Sequence, residues 1–193
     1  MATFRAISAV GHAVLDVLTD AWARDPFTDD TFETTLLGPS AETTAPFAFG
    51  VSLHAIRIAV NGVQRTSPPT VPGRRRPLPV DLELMVVPWA ISVQRELELI
   101  GWCMRALDDE PIITASTLNR TVPGVFAPNE FVELIPSTLT LDEQLRMWDA
   151  WPWDQRLAVT YTARVLRLES ARAVTEAGPV LERDLAFAAG APS

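Results

Sequence analysis

Apolar residues recur at three- and four-residue intervals through Phe4, Ile7, Val10, Val14, Leu18 and Ala21, leaving His12 off the stripe. That spacing predicts an amphipathic helix, capped by Thr3 and running to about Arg24, where Asp25-Pro26 stops it. A poorly patterned stretch rich in Thr, Asp and Pro follows, with one short strand expected at Phe32–Leu37. From Phe47 to Val60 the period falls to two. Phe47, Phe49, Val51 and Leu53 share one parity, then Ile56, Ile58 and Val60 take the other. Such a phase slip is what a β-bulge does to a long strand.

Residues 61–79 carry Asn61-Gly62, Ser67-Pro68-Pro69, Pro72-Gly73 and Arg74-Arg75-Arg76-Pro77. Pro and Gly at that density break regular structure, and the segment reads as a long arm between two strands. Val80, Leu82 and Leu84 then alternate with Asp81 and Glu83 before Met85-Val86-Val87 turns apolar on both faces, as a strand does on entering a covered sheet. Ala90 to Asp108 predicts the clearest helix, with Val93, Leu97, Ile100, Met104 and Leu107 as its core stripe. At about 28 Å it is long enough to cross a small sheet. Pro111 closes it.

Phe131–Ile135 predicts a short strand. Thr140-Leu141-Asp142-Glu143 is a capping box, opening a helix that presents Leu141, Leu145 and Trp148 and ends before Pro152. Leu157, Val159, Tyr161, Ala163 and Val165 alternate with polar or small residues, giving a half-covered strand. The expected class is α/β (α+β), a mixed, largely antiparallel sheet of about four to five strands flanked by helices. After Glu169 the chain becomes Ala-rich and is broken by Gly178-Pro179.

Composition narrows the function. A chain of 193 residues is most simply one domain, large enough for a core without disulfide or metal. Its net charge of −8 and pI near 4.7 oppose general nucleic-acid affinity. All 16 basic residues are Arg, which carries no functional weight by itself. Cys103 is the single cysteine, so an internal disulfide is impossible and the cytosol is the natural compartment. His12 and Asp16 interrupt the first apolar stretch, arguing against a signal peptide, and no run is long enough to span a membrane. The mean hydropathy of +0.14 has two readings: Ala and Val enrichment, or apolar surface buried against partners.

The order of elements and the positions Asp81, Leu82, Gly101, Leu107, Pro111, Pro136, Leu141, Trp148, Leu157, Val159 and Tyr161 carry a resemblance over residues 1–168. The chain resembles the cap (tail terminator) proteins of phage-tail-like contractile injection systems of the antifeeding-prophage type. It departs from them at Leu84, where family members often have an aromatic, and in its heavier Trp148/Trp151/Trp153 cluster. The resemblance implies a tail-cap domain over 1–168 with an arm at 61–79, followed by an Ala-rich extension over 169–193. It implies a structural subunit of a hexameric ring that ends the inner tube and anchors the last sheath layer. Its partners would be copies of itself, the inner tube protein and the contractile sheath protein, with no nucleic acid, membrane or cofactor. Assembly would be cytoplasmic, in a particle that stays there or leaves by lysis. The alternative is another subunit of the same particle, from the baseplate or the tube-completion layer.

No nucleophile motif, phosphate loop or metal-ligand spacing occurs, so an enzyme reading ranks last. His12 and His54 lack acidic partners at triad or metal spacing, and Cys103 reads as a small buried hydrophobe. Asp108-Asp109-Glu110 oppose the helix dipole, hinting that an Arg from elsewhere meets them. Arg74, Arg75 and Arg76 read either as a solvated run or as a dock for an acidic neighbour. Of Trp148, Trp151 and Trp153, at least one indole is expected at an interface, where Trp is enriched.

Overall fold

Alternation and its slips determine the centre of the molecule. The computed structural model describes residues 2–38, 47–66, 73–149 and 155–174. The strands β1 (Glu33–Leu37), β2 (Gly50–Val60), β3 (Leu78–Trp89), β4 (Ile112–Thr114), β5 (Phe131–Ser137) and β6 (Val159–Leu168) form one six-stranded sheet, ordered β1-β2-β3-β6-β5-β4. β1 runs parallel to β2, and every other neighbouring pair is antiparallel. The architecture is the mixed α/β one expected, with one strand more than the pattern predicts. The addition is β4, whose three residues are too few to display a period.

The slip in β2 is a bulge: Ala55 pairs with Leu84 and Arg57 with Glu83, leaving Ile56 between them. A second slip lies in β6, where Ala163 pairs with Leu82 but Leu166 with Val80. The single alternation expected for that strand therefore does not hold. Among its described side chains, Tyr161 and Ala163 are buried, then Leu166.

Helices cover the sheet unequally. α1 (Ala6–Arg24), α2 (Val93–Asp109) and the short α3 (Ala115–Leu118) build the main core on one face. α1 opens at Ala6, and Thr3 does not cap it through its side chain. The Thr3 hydroxyl instead accepts from the amide of Arg5 at 3.3 Å, and Phe4 stays exposed. Ala6, Ala9 and Ala13 pack inward in its place, with Val10, Val14 and Leu18. α2 is capped by Ser92 and turned from its expected orientation. It buries Leu99, Ile100, Cys103 and Leu107, while Val93, Leu97 and Met104 remain exposed.

The opposite face carries α4 (Leu141–Asp149) over one end only. The capping box forms: Glu143 N donates to Thr140 Oγ1 at 3.3 Å, and Thr140 N donates to Glu143 Oε2 at 2.9 Å. The Thr140 amide, and the Thr140 hydroxyl at 2.8 Å, donate to the Glu143 carboxyl and hold it below its usual range. Of the three apolar residues expected to face inward, only Trp148 is buried; Leu141 and Leu145 are exposed.

β1 lies so close to the start of β2 that a Cβ on Gly50 would sit 1.9 Å from the Glu33 carbonyl oxygen. Gly50→Ala is expected to unseat β1 and cost about 1–3 kcal/mol. The check is the urea midpoint together with amide exchange over Glu33–Leu37. An unchanged midpoint with slow exchange would contradict the close approach.

Candidate assembly surfaces

Sequence placed the first candidates on the arm, and the structure ties the arm to the tail. Val174 N donates to the Gly73 carbonyl at 2.8 Å, Arg75 N donates to the Arg172 carbonyl at 3.3 Å, and Arg74 bridges Ala173. These contacts continue the β3–β6 ladder, which reaches Leu78 opposite Leu168, beyond the body of the sheet. Arg74, Arg75 and Arg76 are exposed on this extension and form no ion pair among the described residues.

Trp148 lies inside the chain, at 4% exposure, against Met85, Val87 and Trp89. Trp151 and Trp153, with Pro152, lie outside the described residues, as do residues 67–72 of the arm and 175–193 of the tail. The structure therefore brings Trp148 to a second small core and leaves Arg74–Arg76 at a distant edge.

That second core is polar at its centre. Trp89 Nε1 donates to Ser52 Oγ at 2.7 Å, and Ser52 Oγ lies 2.8 Å from His54 Nε2. Ser52 and His54 are both fully buried. Burial pushes the His54 pKa down to about 4, so the imidazole is neutral at pH 7. A serine beside a histidine invites a nucleophile reading, but sealed beneath α4 the pair has no route to a substrate. Burial likewise pushes the Cys103 thiol up, away from thiolate chemistry.

One participant was not legible beforehand. Arg156 stacks over the Trp89 ring at 4.1 Å and pairs with Glu96 of α2, linking the helical face to the rim of the second core. Its sequence neighbourhood shows nothing but a charge before a strand. At the acidic end of α2, Glu110 meets an arginine from elsewhere, Arg24, as expected, whereas Asp108 and Asp109 pair within the helix with Arg105. Arg120 holds α1 from α3's side through Asp20 at 2.7 Å and Asp16 at 3.8 Å.

Below α4 the second face is open and charged. Arg57 pairs with Glu83, Asn61 Nδ2 donates to Asp81 at 2.9 Å, and Glu133 lies in register with Arg164. A hollow of about 360 Å³ lies here between Ile56, Glu83, Ser137 and Met147, and one of about 450 Å³ lies between Ala2, Phe131 and Arg164. No cluster of three or more His, Cys, Asp or Glu side chains that could hold a metal ion occurs among the described residues. No helix among the described residues is long and apolar enough to cross a membrane.

Comparison with known proteins identifies the family and the fold. The family model described as the Pvc16 N-terminal domain matches residues 9–182. Among solved structures, the sheath/tube terminator of an extracellular contractile injection system, PVC, in its extended state is similar at 14% identity and a TM-score of 0.52. The match covers 91% of this chain and 64% of that one. The anti-feeding prophage cap, a tube terminating cap, is similar at 12% identity and a TM-score of 0.51, covering 90% of this chain and 60% of that one. The chain thus spans less than two thirds of the length of either. A comparison with curated proteins gives no match.

Proposed function

The chain belongs to the Pvc16 N-terminal domain family, and from that premise we propose that it is a cap, or terminator, of a contractile injection particle. In this reading it ends the inner tube, anchors the last sheath layer, and works as a ring of identical subunits assembled in the cytoplasm. Its role is structural, with no bond-making step. The observation that carries the reading is the family match over residues 9–182, joined to a fold shared along 91% of the chain with a sheath/tube terminator.

The surface chemistry is compatible. Ending a polymer needs one face complementary to the last layer and another that offers no further docking site. The face under α1, α2 and α3 is occupied by the molecule's own helices. The open half of the other face is studded with Arg57, Glu83, Glu133 and Arg164. Charges of both signs on a sheet discourage uncontrolled strand stacking.

Removing the chain from producing cells tests the proposal. Particles are expected with irregular tube lengths and sheaths shed from the end opposite the spike, as seen by electron microscopy. Unchanged lengths and retained sheaths would end the proposal, and a label on the chain found at the spike end would assign it to the baseplate.

A further inference from the structure

Opposite ends of the sheet carry opposite charge on exposed apolar ground. Where β2 stops and β3 starts, Ile58 is 53% exposed, Val60 52% and Leu78 44%. Register sets Ile58 beside Leu82 and Val60 beside Val80, so both point to the helical face, on a part neither long helix covers. Val63, on the turn that follows β2, is exposed as well. The outer side of β2 has no neighbour here among the described residues, because β1 pairs only with Gly50–His54. Arg74, Arg75 and Arg76 rim this end.

At the other end, Glu33 is in register with Gly50, and Gly50 with Trp89. The loop from α1 into β1 brings Asp25, Asp29 and Asp30 there, and the Phe27 ring, 6.1 Å from that of Phe49, fixes its place. All three aspartates and Glu33 are exposed, and none forms an ion pair among the described residues. Ile91 and Val93, which follow Trp89 in sequence at the same end of β3, are exposed apolar residues.

β3 joins the two ends with 12 residues, a span of roughly 36 Å. The arginines therefore cannot reach the acidic loop of their own chain. In a molecule of net charge −8, a positive triplet on apolar ground is a strong orienting feature for a like molecule.

We infer that copies of this chain associate head to tail, the Arg74–Arg76 end of one seated on the Asp25, Asp29, Asp30 and Glu33 end of the next. The inference rests on the terminator reading in taking the partner to be a second copy. The apolar residues at both ends supply the area to be buried, and the charges fix orientation. Such a contact uses two different surfaces, so it closes into a ring when the rotation per copy divides a full turn.

The test is the mass of the full chain by light scattering, in low salt and over a concentration series. The unaltered chain is expected to associate. Arg74→Glu, Arg75→Glu and Arg76→Glu together place like charges in contact and should raise the concentration needed for association at least about 100-fold. Asp25→Arg, Asp29→Arg and Asp30→Arg together should do the same, and all six changes in one chain should restore association. The milder Arg74→Ala, Arg75→Ala and Arg76→Ala set, expected to cost about tenfold, serves if a reversed chain does not fold. A monomeric unaltered chain, reversals that leave the mass unchanged, or a six-fold variant that stays monomeric overturns the contact. Association lost only on removing residues 175–193, with the reversals silent, gives the contact between copies to that segment and overturns the proposed one equally. Particle ends that need the chain while the reversals are silent sink this contact alone. Particles indifferent to loss of the chain sink the terminator reading, whatever the mass shows.

Discussion

Trp22→Ala is expected to lower the unfolding free energy by about 3 kcal/mol, the low end for a core aromatic because the indole is only partly buried. Trp22 lies at the centre of five aromatic rings drawn from distant parts of the sequence. Its ring stacks on Phe32 at 4.9 Å, meets Phe27 and Trp102 edge-on at 5.1 Å, and lies 5.5 Å from Phe49. Those partners belong to the loop after α1, the approach to β1, the approach to β2, and α2. One indole therefore fastens four segments, and each aromatic pair adds to the area it buries. For a chain of this size the loss corresponds to a fall in Tm of about 10 °C. Trp22→Phe should retain much of the stability. A midpoint shift for Trp22→Ala no larger than that of a surface substitution would show that the cluster closes over the gap.

The second large effect is acid sensitivity through His54. Its native pKa of about 4 lies below the ordinary value near 6.5 because the ring is desolvated. The native state therefore binds fewer protons than the unfolded chain across that interval. The stability this group contributes is complete above pH 6.5 and is lost as pH falls toward 4, amounting to about 3 kcal/mol. His54→Gln removes the titrating group while keeping an amide beside Ser52. The difference between the two proteins isolates His54 from the many carboxylates that also titrate in acid. Denaturant midpoints taken from pH 7 to 4 should fall more steeply for the native chain. Parallel slopes would mean that the buried imidazole is already solvated or charged in the fold.

The periodicity made much of the fold readable. The β2 slip is visible because Leu53 and Ile56 sit on opposite parities, and a bulge is the cheapest way to keep both on useful faces. The capping box is legible because its hydrogen bonds are local, between Thr140 and Glu143. Helix faces were less so. α2 carries apolar residues around more than half of its circumference, and only the neighbouring sheet decides which half goes inside. The β6 slip leaves no mark on the pattern because Ala163 and its neighbours are acceptable on either face. Of the candidate site, the exposed arginines stand where a Pro-rich arm would place them. Trp148 goes inward because α4 has little else with which to cover Met85 and Val87. The pairing of arm with tail, and of Arg156 with Trp89, joins residues far apart in sequence through contacts that leave no periodic trace.

The strand order also sets a timetable. β6 lies between β3 and β5, so the two parts of the sheet stay unconnected until Val159–Leu168 has left the ribosome. During synthesis of some seventy residues after Trp89, about 4–14 s at ordinary elongation rates, one long edge of β3 has no partner. Nascent chains are then exposed to mispairing with one another, and folding depends on contacts between remote segments, which makes it slow. A product interrupted before β6 has a split sheet and no ladder to carry the arm. Of the described strands, the last to be made is thus the one that joins the two parts of the sheet.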